Sequence, residues 1–361
     1  MEKRVFNFNP GPATLPLPVL EHAQAELLNY QNTGMSVMEM SHRSKDFEEI
    51  VFNTEALFKE ISGVGDDYRI LFLQGGASQQ FALIPLNFLS PGKRGAYAIT
   101  GNFAKKAYEE AQKIGETHVA VNTADNKYTK IPRQEELDIP ADAAYLHITT
   151  NNTVYGTQWH YIPETNGVPL VADMSSDILS RPLDYKKFAL FYAGAQKNLG
   201  PAGVVVVGIS KKMLEKVPDT LPAIFNYNTL AKKNSLYNTP PTFGIYMLQL
   251  VLQWLKAQGG LEAMAKHNQE KAALIYEVID RYDFYKGYAE KKSRSLMNVT
   301  FRLPAEELEQ KFVQEAAEIG LVGLKGYRTV GGIRASIYNA MSRKGCETLA
   351  SFMEDFAKKH S

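Results

Sequence analysis

The chain reads as an α/β protein: a large domain on a mostly parallel sheet flanked by helices, joined to a smaller α+β domain. Three observations predict this. Short apolar runs rich in β-branched or aromatic residues (RILFLQ, GAYAIT, VPLVA, FALFYA, VVVVG) recur between Gly, Pro and Ser, as buried strands do. Helical-period segments separate the early runs, and a crossover of that length pairs strands in parallel. Past Gly259-Gly260 a helix, strand, helix, strand pattern takes over, so that dipeptide marks the hinge. At 361 residues the chain has length for both units. The expected boundaries are 17–258 for the large domain and 1–16 with 259–361 for the small one.

Taken in order, FNFNPGPATLP has too many prolines for a helix and reads as an extended brace on the surface. VLEHAQAELLNY after Pro18 repeats apolar residues at helical spacing, and a second helix spans 46–61. His42 and Arg43 precede that second helix. A basic pair near a helix N-terminus opposes the dipole, so anion binding explains it better than helix stability. Strand 69–74 runs into Gly75-Gly76-Ala77-Ser78 and a helix near Gln79, the strand–turn–helix form whose free N–H groups cradle a phosphate. Strand 95–100 leads through Phe103 to helix 104–114. Strands 118–122 and 144–149 follow, then the polar turn TNNTVYGTQ with Thr153, where Asn151 and Asn152 read equally as turn formers. Runs 168–172, 188–193 and 204–208 are strands. The last is antiparallel, because GPAG is too short for a helical crossover. Residues 211–236 lack periodicity and read as an irregular arm. Its end, NTPPTF, holds Asn238 and Thr239 extended. Helices over 243–257 and 261–281, strand 295–302, an acidic-fronted helix 304–319 and a short strand 321–323 come next. Arg334 opens the strand IRASIYN, and helix 345–360 closes the chain.

The chemistry centres on Asp173, which closes VPLVA, and Lys197 in GAQKNLGPAG. Singly they are a turn former and a solvated lysine. Together they suit pyridoxal phosphate: a lysine to hold the aldehyde and an acid to keep the ring nitrogen protonated. The candidates fall at C-terminal strand ends, where open α/β sheets place ligands. Arg334 offers a planar bidentate donor for a carboxylate, in a strand where an unpaired charge is costly.

Composition narrows the rest. A net charge of +1 favours neither nucleic acid nor an anionic membrane. No apolar run reaches the ~18 residues of a membrane span, and the opening residues lack a signal-peptide core, so a cytoplasmic location is expected. One cysteine, Cys346, excludes an internal disulfide and a multi-thiolate metal site, and the seven histidines show no HExxH pattern, so no metal is expected.

The motifs NPGPATLP, SHR, the SSD after Asp173, GAQKNLGPAG, NTPPTF and RASIYNAMS stand in one order along nearly the whole chain. In this the chain resembles the PLP-dependent fold-type I aminotransferases of class V, and among them the phosphoserine aminotransferases. The resemblance implies a seven-stranded large-domain sheet and pyridoxal 5'-phosphate on Lys197, with Asp173 at the ring nitrogen. It implies amides of Ala77 and Ser78 at the cofactor phosphate, Phe103 on the ring face, Thr153 at the phenolic oxygen and Gln196 alongside. Asn238 and Thr239 would reach the cofactor of the neighbouring subunit in a homodimer with shared sites. His42, Arg43 and Arg328 would take the substrate phosphate, and Arg334 the α-carboxylate. The implied reaction moves an amino group from L-glutamate to 3-phosphohydroxypyruvate in serine biosynthesis, with the phosphohydroxythreonine pair of pyridoxine biosynthesis as a further substrate pair. Three positions depart from common family usage: Ser78 replaces an arginine, Phe103 a tryptophan and Tyr327 a histidine. Two other readings compete. A cysteine desulfurase needs a mobile cysteine, and Cys346 begins a helix. A non-catalytic phosphate-binding protein leaves Lys197, Asp173 and Arg334 without a purpose.

Overall fold

A computed structural model describes residues 4–360. Of the 1–16 segment assigned above to the small domain, residues 1–3 lie outside the described residues. After strand β1 (Phe6–Asn7), helices α1 (Leu17–Glu26) and α2 (Lys45–Ser62) lead into β2 (Tyr68–Gln74). Helix α3 (Ala77–Phe88), β3 (Arg94–Ile99), α4 (Asn102–Gln112), β4 (Glu116–Asn122) and β5 (Tyr145–Thr149) follow. A hairpin of β6 (Asn151–Asn152) and β7 (Thr157–Gln158) precedes β8 (Leu170–Asp173), β9 (Leu190–Gly194) and β10 (Val204–Ser210). Helices α5 (Lys211–Leu214), α6 (Tyr227–Lys232), α7 (Thr242–Ala257) and α8 (Gly260–Arg281) come next. The chain finishes with β11 (Lys286–Gly287), β12 (Asn298–Arg302), α9 (Glu306–Glu318), β13 (Leu321–Val322), β14 (Ile333–Ser336) and α10 (Arg343–His360).

Seven strands form the central sheet in the order β2-β10-β9-β8-β5-β3-β4. All run parallel except β10, which pairs antiparallel with both β9 and β2. The fold is thus the α/β class with the mostly parallel seven-stranded sheet that the sequence predicts. Both faces are buried, and alternate side chains serve opposite cores. Ile70, Phe72, Val204 and Val206 face the layer of α2 and α7. Leu71, Leu73, Val205 and Val207 face α3, α4 and α6. That two-sided burial explains why these strands read as continuous apolar runs.

Helix α2 shows how local sequence sets an element. Ser44 caps it, its Oγ accepting from Phe47 N at 3.3 Å, with Asp46 and Glu48 in the first turn and Gly63 ending it at φ 72°. Such a cap contributes about 1 kcal/mol. Phe47, Ile50, Val51, Thr54 and Phe58 form its buried stripe. Two regions differ from expectation. Helix α1 stops at Glu26, and Gln31 and Asn32 adopt positive φ just beyond it. The arm over 211–236 holds two short helices, started by side-chain caps at Ser210 and Asn226.

A third core gathers Phe8, α8, β12, β14, α9 and α10 residues, among them Ile275, Val299, Phe312, Leu349 and Phe356. Strand β12 sits between β11 and β14, antiparallel to both. Strand β1 pairs in parallel with β13, so the opening residues join the C-terminal part of the chain. Among the described residues no helix is long and apolar enough to cross a membrane.

Candidate active site

Because six strands share one direction, the ends of β2, β3, β5, β8 and β9 open on one edge of the sheet. A cavity of about 170 Å³ lies there, lined by Gly76, Ala77, Ser78, Phe103, Thr149, Asn151, Thr153, Asp173, Ser175, Ser176, Gln196 and Lys197. The sequence candidates from five separate strand ends thus meet in one hollow.

Asp173 closes β8 and is 4% exposed. Its Oδ1 accepts from Ser175 N at 2.9 Å, and Ser175 Oγ accepts from Gly194 N at 3.1 Å, tying the carboxylate to β9. Burial raises its pKa, while the Ser175 hydrogen bonds and the charge of Lys197 hold it down. Lys197 follows β9 in a turn closed by Leu199 N to Ala195 O at 3.0 Å and Gly200 N to Ala195 O at 2.8 Å. Its Nζ donates to Thr153 Oγ1 at 2.7 Å and sits 5.6 Å from the centre of the Phe103 ring. Burial draws the amine down to about 8. Asp173 pulls upward, and Arg334 adds to the lowering.

The turn between β2 and α3 depends on one glycine. Gly75 has φ +99°, a backbone conformation that favours glycine. Helix α3 then starts at Gly76 with no side-chain cap. Ala77 and Ser78, in the first turn of this helix, line the cavity, and an uncapped helix N-terminus suits an anion. Arg334, on β14, is 6% exposed, and its Nε is buried without a partner. Burial lowers its pKa, and Tyr327 lies 6.0 Å from the guanidinium carbon, ring centre to Cζ. A buried guanidinium with an unmet donor fits an anionic ligand group. A flat ring face, a buried acid, a half-buried amine and an uncapped helix N-terminus together form a set that fits pyridoxal phosphate. Among the described residues no group of three or more His, Cys, Asp or Glu is arranged to hold a metal.

A family model described as Aminotransferase class-V matches residues 5–349. The chain belongs to the class-V aminotransferases. It is 59% identical over 358 residues to the phosphoserine aminotransferase of Geobacillus kaustophilus (strain HTA426), covering 99% of each chain. The solved phosphoserine aminotransferase from Bacillus circulans subsp. alkalophilus matches with a TM-score of 0.98 at 51% identity, again over 99% of each chain. The PLP-bound phosphoserine aminotransferase from Trichomonas vaginalis matches at 0.93 and 37% identity, over 97% of this chain and 100% of that one.

In this class-V aminotransferase several candidates stand apart from the Lys197 cavity. Asn238 Nδ2 donates to Gln74 Oε1 at 3.3 Å, and Gln74 Nε2 donates to Thr239 O at 2.5 Å, which sets both residues beside the end of β2. Arg43 is exposed at the turn before α2, while His42 Nε2 is buried without a partner. Arg328 lines a groove of about 750 Å³ with Glu306, Gln310 and Tyr327. Cys346 is fully buried and its thiol is pushed up to about 12 by that burial, which removes the desulfurase reading.

Sequence reasoning passed over several neighbours of the site. Thr150 Oγ1 donates to the buried Asp177, whose other oxygen accepts from Gln158 Nε2 at 3.0 Å. Asn151 bonds Ser176 and Asn298, each at 2.8 Å. His147 Nε2 and the Tyr192 hydroxyl lie 2.9 Å apart behind Asp173. Thr150, Asn151 and Gln158 stand in the turn TNNTVYGTQ and Ser176 and Asp177 in the SSD run, but neither motif showed these pairings. Asn298 and Tyr192 look like ordinary strand residues until the strands are paired.

Proposed function

We propose that the chain is a phosphoserine aminotransferase, moving an amino group from L-glutamate to 3-phosphohydroxypyruvate to give O-phospho-L-serine and 2-oxoglutarate. The observation that carries this is the Lys197 amine, 2.7 Å from Thr153 in a cavity that also holds buried Asp173. Identity of 59% to a relative of that name supports the substrate pair. Pyridoxal phosphate, when bound, supplies an aldehyde carbon that takes up amines and a ring that accepts the electron pair left when a Cα proton departs.

The protein's own groups do the remainder. Lys197 holds the cofactor between turnovers. Once freed by the incoming amine, its Nζ would carry the proton between the substrate Cα and the cofactor carbon that began as the aldehyde. A pKa near 8 leaves a useful fraction as free base at neutral pH. Asp173 keeps the ring nitrogen charged, Phe103 covers the ring, and Thr153 fixes the amine's direction. The α3 amides of Ala77 and Ser78 take the cofactor phosphate, with Gln196 beside the lysine. Arg334 takes the substrate α-carboxylate as a bidentate donor. His42, Arg43 and Arg328 take the substrate phosphate, and the same charge pattern accommodates the phosphohydroxythreonine pair.

The reading includes a homodimer, in which Asn238 and Thr239 of one copy complete the phosphate seat of the other. Their position outside the Lys197 cavity supports it, as do the exposed apolar side chains Ile224, Phe225 and Tyr237 nearby in sequence. It also includes the division into 17–258 and 1–16 with 259–361, supported by the separate core around Phe8 and α8–α10, and a cytoplasmic location. Borohydride reduction of the holoenzyme followed by peptide mapping is the test. Label on Lys197 is expected; label on another lysine overturns the assignment.

A further inference from the structure

The segment Asn9–Ala13 looks in the sequence like a surface brace, yet in the folded chain it lies along Lys197. A Cβ built on Gly11 would stand 3.3 Å from Lys197 Cγ and 3.6 Å from Lys197 Cε, so the backbone of Gly11 touches the lysine stem. Gly11 has φ +140°, a conformation side chains with a Cβ rarely adopt. Ala13 N donates to Gln196 O at 2.9 Å, pinning one end of the segment to the lysine's own turn.

The other end is held from β14. The Tyr338 hydroxyl donates to Pro10 O at 2.7 Å and accepts from Asn298 Nδ2 at 3.2 Å. Asn298 Nδ2 also donates to Ser336 Oγ at 2.9 Å, and Asn298 Oδ1 accepts from Asn151. The Tyr338 side chain is 1% exposed, and Thr153, the acceptor of the lysine amine, is among the groups that act on its hydroxyl. Tyr338 therefore stands between the wall beside Lys197, the partner of its amine, and the strand that carries Arg334.

We propose that residues 10–12 form a fixed wall along the Lys197 side chain, and that Tyr338 is the positioning residue holding that wall in place. A lysine stem has four rotatable bonds, and its amine must return to the same carbon in every turnover. Closing one side of the stem removes unproductive rotamers and keeps water from the amine. Burial is what draws Lys197 down to about 8, and the Gly11 backbone lies against the stem of that lysine. The inference rests on Lys197 being the cofactor-bearing lysine, which the borohydride label tests by itself.

The experiment is Tyr338→Phe in the holoenzyme. Hydrogen exchange of the Ala13 amide should quicken roughly three- to tenfold, as loss of one hydrogen bond implies. The pH midpoint of the lysine-bound cofactor's visible absorption should rise by about half a unit or more, because water reaching the cofactor-bonded lysine nitrogen favours its protonated form. The single-turnover rate with glutamate should fall roughly three- to tenfold, with its dissociation constant within about twofold of wild type. Gly11→Ala, which presses on the stem with the Pro10 bond intact, should slow the same step. If that variant fails to fold, Tyr338→Phe decides alone. Tyr285→Phe is the control: this buried phenol donates to Met353 O at 2.7 Å in the C-terminal core, and its loss should lower stability and leave the absorption midpoint unmoved. Faster exchange in Tyr338→Phe with an unchanged midpoint and rate makes the segment a brace and overturns the proposal. So does unchanged exchange.

Discussion

Asp173 and Lys197 face the same cavity, and burial pushes each toward its uncharged form: the acid upward, the amine downward. Their mutual attraction opposes both shifts. A cationic ring nitrogen against Asp173 would restore the balance for the acid. Asp173→Asn keeps a hydrogen-bonding side chain and loses the charge, so turnover should fall roughly a hundredfold or more. Melting temperature should move little, and near-native turnover would show Asp173 to be structural. His147 offers a second test. Burial pushes it down to about 3 from 6.5, so between those values the unfolded chain binds a proton that the folded chain refuses. Stability from this group is therefore complete above pH 6.5 and falls as pH drops towards 3, by at most about 1.4 kcal/mol per unit. Urea unfolding across that range should be flatter for His147→Phe than for wild type. Asp173 and Lys197 were readable in the sequence because a charge at the end of an apolar run is conspicuous. His147 was not, because its partner Tyr192 lies on a different strand and the pair exists only once the sheet is ordered.

Strands and most helices fell within a few residues of expectation, since apolar period and flanking Gly or Pro are local signals. The antiparallel β10 was predictable from the shortness of GPAG alone. The misses share a cause. The short helices α5 and α6 depend on single caps at Ser210 and Asn226, and one polar residue rarely stands out in a polar arm. The opening segment read as surface because its neighbours, Lys197 and Tyr338, lie far along the chain. Helix α8 carries the clearest energetic test among the elements. Buried Lys271 donates from Nζ to Ile337 O at 2.9 Å and to Tyr338 O at 2.7 Å, holding the chain just past β14. Lys271→Met leaves the Ile337 carbonyl buried and unpaired, while Tyr338 O keeps Met341 N at 2.9 Å, so stability should drop by about 1–3 kcal/mol. A melting temperature within a degree of wild type would show that water or a local shift replaces the lysine.

For the assembled protein the decisive question is whether one chain makes a whole site. Asn238 and Thr239 sit beside Gln74, outside the cavity that Lys197 lines. On the dimer proposal, Lys197→Ala chains and Asn238→Ala/Thr239→Ala chains are each inactive, and mixing them forms one intact site per heterodimer. Recovered activity should approach a quarter of wild type at equal mixing, since half the dimers are mixed and each has one working site. Heterodimers that form and stay inactive would count against shared sites.

Strand β10 has a further meaning for how the molecule comes into being. It is the sole contact between β2 and β9 within the sheet order. At its start Gly203 O receives Gly75 N at 3.2 Å, and Val204 O receives Ala195 N at 2.9 Å. The anion cradle and the lysine turn are thus clipped to adjacent links of one late-arriving strand. During synthesis β2 must wait, edge unpaired, while the intervening sheet strands are made, and long-range pairing of that kind is slow to form. Both the turn after β2 and the turn after β9 gain a backbone partner when β10 takes its place between its two neighbours. Until then the turn that carries Lys197 lacks the carbonyl of Val204 that receives Ala195 N.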